Sequence, residues 1–241
     1  MRYELKKVLP WGRSFDEYVR MFNLVDDDLN GRILGCADGP ASFNAEMYQS
    51  GRSTISCDPI YRFTTQQLKA QIKRASVKIM EQTRKNIDNF MWSSIGSINE
   101  LRDIRLTAMR KFLDDFEEGK KQGRYIVAEL PSLPFDNDVF DIALCSHFLF
   151  LYSDRLSLEF HLESIVQLCR IADDVRIFPL IDLDLRPSPY VQPIASGLEK
   201  DGFTVSIERV NYEFQRGGNK MLRITKDKKN VKSKTLNIVD N

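Results

Sequence analysis

The chain has 241 residues, 42% of them hydrophobic and 15 of them Phe, and its 35 Lys and Arg against 34 Asp and Glu leave a formal net charge of +1. That apolar content supplies a sizeable core and excludes a disordered chain, which pairs low hydrophobicity with high net charge. The charge balance excludes a large uniform field, so binding to nucleic acid or to a membrane surface would need a local basic patch.

The basic start, Met1 to Lys7, leads only to Pro10 and Trp11, without the apolar run of a secretory signal. Ser14 followed by Glu17 is a capping box, and Phe15, Tyr18, Val19 and Phe22 give the helix it opens an apolar face, predicting a helix from Phe15 to Leu24. Asp26-Asp27-Asp28 and Asn30-Gly31 predict a turn, and Arg32 to Cys36 a buried strand. A helix is expected over Ser42 to Gln49 and a strand over Ser53 to Cys57, ending at Asp58-Pro59. No proline occurs from Thr64 to Gly123, where two blocks carry helical periodicity. Leu68, Ile72, Ala75, Ile79, Ile87 and Phe90 line the first; Leu101, Ile104, Ala108, Met109, Phe112, Leu113 and Phe116 line the second, with Ser97 and Glu100 as a second capping pair between them. A helical hairpin over about 64–123 follows.

Further strands are predicted at Tyr125 to Glu129, Val139 to Cys145 and Val175 to Leu180, the first two joined by an extended link through Leu130-Pro131 and Leu133-Pro134. Leu156 to Ile171 reads as a helix between the second and third of these. Asp182 to Tyr190 reads as a loop, Val191 to Lys200 as a helix, and Phe203 to Val210 with Met221 to Thr225 as an antiparallel pair. Strands alternating with helices predict an α/β fold: an open, mostly parallel sheet covered on both faces, with that pair at one edge. One domain over residues 1–225 is expected, followed by a basic, disordered tail over 226–241 rich in Lys. The longest nearly apolar run, Ile142 to Tyr152, falls well short of the ~20 residues that span a bilayer, so no membrane association is expected. Cys36, Cys57, Cys145 and Cys169 form no Cys-x-x-Cys pair, and His147 and His161 are the only histidines, so neither a metal site nor a disulfide framework is expected. Reduced thiols fit a cytoplasmic location.

In an open parallel sheet, ligands bind beyond the carboxyl ends of the strands. The first strand end carries Gly35-Cys36-Ala37-Asp38-Gly39-Pro40, small residues that let backbone approach a ligand. The second carries Asp58, placed where a carboxylate can accept hydrogen bonds from a ribose diol, about 20 residues beyond the turn. The third carries Glu129-Leu130-Pro131-Ser132-Leu133-Pro134-Phe135, with Phe140-Asp141 leading the next strand. On these residues, from Arg32 to Leu151, the chain resembles the class I, Rossmann-like S-adenosylmethionine-dependent methyltransferases.

The resemblance implies S-adenosylmethionine as cofactor, with the turn at Gly35, Ala37, Asp38 and Gly39 passing its methionine part and Asp58 on the ribose. It implies Pro59 or Ile60 against the adenine, Glu129 at the adenine amine, the Leu130 amide at the ring, and Cys145, Ser146 and His147 near the sulfonium. Two positions depart from the family: its usual acid before the first glycine is Ile33, and its middle glycine is Ala37. With Ile33 there, Asp38 or another group must stand in for the acid. The alternative is a catalytically inactive nucleoside-binding or scaffolding relative. A nicotinamide enzyme fits less well, since Ala37 and Ser42 occupy the second and third glycine positions of its fingerprint.

Asp58-Pro59-Ile60-Tyr61 looks like the Asp-Pro-Pro-Tyr clamp of adenine amine methylases, but it follows the wrong strand and is read here as the ribose acid. His147 is the candidate general base; Asp182, Asp184 and Tyr190 are further ones. The acceptor stays open between a small molecule and nucleic acid. Lys69, Lys73, Arg74, Lys78, Arg84 and Lys85 make the first hairpin helix basic, which fits a phosphate-binding surface; the hairpin could equally be a lid over a small-molecule pocket or a homodimerisation arm.

Overall fold

The computed structural model describes residues 9–226. The expected tail therefore lies outside the described residues, except Lys226, which instead ends a strand and pairs with Asp138. In chain order the elements are α1 (Phe15–Met21), α2 (Asp26–Leu29), β1 (Ile33–Cys36), α3 (Phe43–Gln49), β2 (Thr54–Cys57), α4 (Thr65–Lys85), α5 (Ile98–Lys121) and β3 (Tyr125–Ile126). They continue as β4 (Phe140–Ser146), α6 (Leu158–Ile171), β5 (Ala172–Phe178), α7 (Val191–Lys200), β6 (Phe203–Arg209) and β7 (Lys220–Lys226).

The strands form one sheet in the order β3-β2-β1-β4-β5-β7-β6. The first five are parallel to their neighbours; β7 enters antiparallel between β5 and β6. This is the predicted open, mostly parallel sheet with an antiparallel pair at one edge, in which β7 alone runs against the other strands. β1 is buried at every position, as a central strand with helices on both faces must be. Its side chains alternate between two cores. Leu34 and Cys36 pack with Ala143, Val175 and residues of α6 and α7, while Ile33 packs with Tyr18, Met21, Phe43 and Met47 of the opposite layer. Register places Cys36 beside Cys57 on one side and Cys145 on the other, so three buried thiols form a row across the sheet.

Several predicted boundaries move. The first helix stops at Met21, and the acidic stretch after it forms the short helix α2, in which the Asp28 carboxylate folds back onto the Val25 N–H. The strand expected over Tyr125 to Glu129 pairs only through Ile126, because the connection toward Leu130-Pro131 leaves the edge of the sheet. Ile87 and Phe90 lie beyond α4, in the link to α5, where Ile87 is exposed and Phe90 bridges to Gln215.

The hairpin of α4 and α5 forms as predicted. Leu68, Ile72, Ala75, Ile79 and Met80 bury one face of α4, and its basic side chains lie on the exposed face. The base of the hairpin has its own aromatic core, in which Tyr61 meets Phe112, Phe116 and Tyr125 at ring separations of 5.9, 5.7 and 5.2 Å.

Candidate functional site

Where β1 stops, the chain turns through Ala37 and Gly39, both at positive φ, 54° and 57°. Ala37 holds the left-handed backbone that glycine adopts freely, at a cost of about 1 kcal/mol, and its N–H donates to the Cys57 carbonyl at 2.9 Å. Gly35 lies beneath this turn and does not line the cavity described below. A Cβ there would stand 2.1 Å from Asp38 Oδ2, so glycine lets the Asp38 side chain fold back over the strand. The Asp38 carboxyl accepts from the Tyr18 hydroxyl and from Ser56 Oγ at 2.6 Å, and burial pushes its pKa up. Ile33, at the place of the family's usual acid, is in the core at 1% exposure.

Asp58 caps the turn after β2. Its Oδ1 accepts from the Ile60 N–H and its Oδ2 from the Gly39 N–H, both at 2.9 Å, so one carboxylate joins the ends of β1 and β2. Burial raises its pKa to about 6, against those two bonds. Each oxygen keeps a further lone pair, sufficient for a vicinal diol. Pro59 and Ile60 line the cavity beside it, and the Tyr61 hydroxyl fastens the turn by donating to the Gly39 carbonyl at 2.8 Å. Glu129 and Leu130 form another part of the wall, held by a bridge between Glu129 and Ser132.

At the end of β4, Ser146 and His147 line the cavity, whereas Cys145 is fully buried behind it in the sheet's other core. Cys145 alternates to the opposite face from Ser146, so its expected place beside the sulfonium is not on the cavity wall. Burial raises its thiol pKa to about 12. His147, at φ 52°, shares a 2.9 Å hydrogen bond with Ser146 Oγ through its ring Nδ1, and its backbone N–H donates to the Phe178 carbonyl at 2.7 Å. Burial, then the nearby Arg13 and Arg105 charges, drive its pKa well below the ordinary histidine value, so the imidazole is neutral near pH 7. The other proposed bases are elsewhere. Asp182 accepts from the Asp184 and Arg186 N–H groups and Asp184 pairs with Arg186, while the Tyr190 ring packs on His161; none of the three lines the cavity.

The cavity these residues share has a volume of about 590 Å³. Its roof comes from segments that the sequence alone does not connect. Ile79 and Thr83 of α4, Leu101 and Arg105 of α5, and Phe214 and Gln215 of the β6–β7 connection close over it. The two connections pair with each other: Met91 N–H donates to Phe214 O at 2.8 Å, Arg216 N–H to Asn89 O at 2.9 Å, and Phe90 stacks on Phe214 at 4.8 Å. Behind the roof, Arg105, fully buried, pairs with Glu17 of α1, whose other oxygen accepts from the Tyr212 hydroxyl at 2.8 Å. Arg105 and its surroundings hold the Glu17 carboxyl down to about 2 despite burial that acts the other way. Trp11 and Arg13 complete the wall. They are brought there because Gly12 lies against the Pro40 carbonyl, where a Cβ would come within 2.0 Å.

Of the expected site residues, the structure brings Ala37, Asp38, Gly39, Asp58, Pro59, Glu129, Leu130, Ser146 and His147 to one cavity and leaves Gly35 and Cys145 behind it. Arg13, Tyr18, Arg105 and Phe214 are wall residues that sequence reasoning missed. One signal was available for Arg105: it follows Leu101 by one helical turn, which places a guanidinium on the apolar stripe of α5.

No protein-family model matches the chain. It is 36% identical over 227 residues to the uncharacterized protein MJ0045 of Methanocaldococcus jannaschii, covering 93% of this chain and 99% of that one. Among solved structures it is similar to magnesium protoporphyrin IX methyltransferase of Synechocystis with bound S-adenosylhomocysteine, at 14% identity and a TM-score of 0.45, covering 83% of this chain and 76% of that one. A structure described as a putative S-adenosylmethionine-dependent methyltransferase from Methanococcus maripaludis matches at 9% identity and a TM-score of 0.44, covering 92% of this chain and 85% of that one.

Proposed function

The chain belongs to the family of the Methanocaldococcus jannaschii protein MJ0045, and from that premise we propose that it is an S-adenosylmethionine-dependent methyltransferase acting on a small molecule. The observation that carries the reading is Asp58: a buried carboxylate at a strand end, anchored by two backbone N–H groups and facing a cavity of about 590 Å³. The groups around it fit the cofactor. Asp58 would accept from the ribose hydroxyls, Pro59 and Ile60 offer an apolar surface to the adenine, and Glu129 with the Leu130 amide offers an acceptor and a donor to its edge. The turn at Ala37 and Gly39 presents backbone to the methionine part, and no atom would meet a Cβ at Gly39 within 4 Å.

When bound, the cofactor supplies an electrophilic methyl group on a sulfonium. The chain's own part would be to hold a nucleophile in line with that group and to limit the access of water, a task for which the residues of α4, α5 and the β6–β7 connection that line the cavity are placed. A protonated nucleophile needs a base as well. His147 on the cavity wall is neutral and oriented by Ser146, but the burial and the arginine charges that keep it neutral also make it a weak base, so its part would be to hold the nucleophile by a hydrogen bond rather than to take its proton. The roof favours a small acceptor over nucleic acid, since the basic residues of α4 face away from the cavity they would have to serve.

Calorimetric titration with S-adenosylmethionine and S-adenosylhomocysteine tests the reading. Both are expected to bind, and Asp58→Ala is expected to weaken both by tenfold or more, in line with about 1.5–3 kcal/mol for hydrogen bonds to a charged group, with an unchanged circular dichroism spectrum. No binding at millimolar ligand would favour the fold-retaining, inactive relative. The buried Ile33 and the engaged Asp38, which leave the family's usual acid without a replacement in the turn, are what speaks for that second reading.

A further inference from the structure

Arg13 is fixed beside the turn that ends β1. Gly12 lies against the Pro40 carbonyl, and the Arg13 carbonyl accepts from the Ser42 N–H at 3.0 Å. Phe15 and Tyr18 then stack on Phe43 at 5.5 and 4.8 Å, so the segment from Gly12 to Tyr18 is docked on the start of α3, and the Tyr18 hydroxyl donates to Asp38 of the turn itself. Arg13 lines the cavity together with Ala37, Asp38 and Gly39.

Among the described residues nothing answers the charge of Arg13. Its guanidinium donates to the Trp11 carbonyl, its Nε is buried without a hydrogen-bond partner, and no carboxylate stands within ion-pair distance of it. Arg105 is answered in charge by Glu17, so two arginines and one carboxylate leave one positive charge over. A charge withdrawn from water without a counter-ion is costly, so this position calls for an anion. The carboxylates that line the cavity do not supply it. Asp58 is held by the Gly39 and Ile60 N–H groups, Glu129 follows β3 on the other side of β2, and Asp38 folds back toward Gly35 to accept from Tyr18 and Ser56.

A methionine group laid along this turn carries two charges, a carboxylate and an ammonium, and the turn offers them unequal partners. The carboxylate meets an unpaired guanidinium. The ammonium meets only Asp38, already bonded by two hydroxyls, while Ile33, at the place of the family's usual acid, is apolar and buried. We propose that Arg13 receives the carboxylate of the cofactor's methionine part, and that this chain holds the amino-acid end of the cofactor through its carboxylate rather than through its ammonium. This deepens the methyltransferase reading and rests on it. The grip absent at Ile33 is replaced by one of opposite charge, supplied from the segment before α1 instead of from the sheet. The site is thereby selective for forms of the cofactor that keep the carboxylate.

Calorimetry on the full chain tests this with four ligands that share the adenosine and the sulfur. They are S-adenosylhomocysteine, its analogue lacking only the ammonium, its analogue lacking only the carboxylate, and 5′-methylthioadenosine, which lacks both. Loss of the carboxylate is expected to weaken binding at least about tenfold, the size of one charge-assisted hydrogen bond, and loss of the ammonium less than about threefold. Arg13→Gln is expected to weaken S-adenosylhomocysteine and the carboxylate-bearing analogue at least about tenfold while leaving 5′-methylthioadenosine unchanged; Arg13→Lys, which keeps the charge, should recover part of the loss. Equal affinity of the two singly trimmed analogues for the wild-type protein overturns the proposal without any variant. So does an Arg13→Gln protein that binds S-adenosylhomocysteine normally, or one that loses 5′-methylthioadenosine to the same degree, since Arg13 then only supports the wall. Binding of 5′-methylthioadenosine with none of the expected differences leaves the role of Asp58 standing and removes Arg13 from the site. If none of the four ligands binds at millimolar concentration, the methyltransferase reading falls and this assignment falls with it.

Discussion

The floor and the roof of the cavity are built in opposite ways. The floor is made of strand ends: Ala37, Gly39, Asp58, Ser146 and His147 follow directly on β1, β2 and β4, and Asp58 reaches a partner only 19 residues away. The roof is held by groups far apart in the chain, with Glu17 joined to Arg105 across 88 residues and to Tyr212 across 195. The floor uses few polar groups and backbone donors; the roof depends on a buried ion pair. A binding surface made of strand ends is therefore fixed by the sheet that carries it, while the surface facing it exists only if one buried charge finds its counterpart.

The sharpest way to break this contrast is at Glu17. Glu17→Gln leaves the Arg105 guanidinium buried without its counter-ion and is expected to cost about 3–5 kcal/mol, measured as a lower midpoint in urea. The double variant Glu17→Gln with Arg105→Met should recover much of that loss; equal destabilisation of both proteins would show that the pair is not the tie. Acid should act on the same tie. The Glu17 carboxyl is held down to about 2, so its stabilisation is complete above the unfolded-chain value near 4.5 and is lost as pH falls toward 2.

At the floor the sign reverses. The Asp58 pKa is raised to about 6, so its contribution to stability is greatest at low pH and declines as pH rises from about 4 to 6. Ligand binding runs the other way, because a ribose diol donates to the ionised form. Affinity for 5′-methylthioadenosine, which lacks the titrating amino-acid portion, should fall about tenfold between pH 7 and pH 5. Asp58→Asn should remove that slope, and a slope that persists in the variant assigns it to another group.

A smaller effect is expected at the start of α5. Ser97 accepts from the Glu100 N–H at 3.2 Å, and Ser97→Ala should cost about 1 kcal/mol in thermal or urea unfolding, as lost helix caps do. The smallest concerns the outer face of the roof. Lys73→Glu and Lys78→Glu lie on the exposed side of α4 and should change stability by less than about 0.5 kcal/mol. A larger loss of ligand affinity in either would mean that the outer face takes part in binding.

The same contrast governs what can be read without coordinates. The place of Asp58 at a strand end, the small-residue turn and the strand alternation were legible because each depends on local chemistry: a tight turn needs small residues, exposed backbone N–H groups need a capping carboxylate, a buried strand needs an apolar run. Cys145 was expected beside Ser146 at the site, and its side chain instead turns away from the cavity, because proximity in sequence hides the alternation of strand side chains between faces. Arg13 and Phe214 carried no local signal, since nothing near Trp11 or Asn219 announces that those segments meet α5 above β4. The Ser14–Glu17 pair was read as a helix cap and is one, yet the same Glu17 carboxylate also holds Arg105. A pattern with a sufficient local explanation can conceal a distant one.

The row of Cys36, Cys57 and Cys145 across the middle of the sheet has a practical consequence. All three thiols are sealed within the core, and at least two are held protonated, so an alkylating reagent reaches them only when the central strands part. Their labelling rate is thus a built-in clock for opening of the strands that carry the floor. Because those strands are clamped at their ends by Asp58, a nucleoside ligand that engages this carboxylate should slow the clock, giving an assay of binding that needs neither a known acceptor nor turnover.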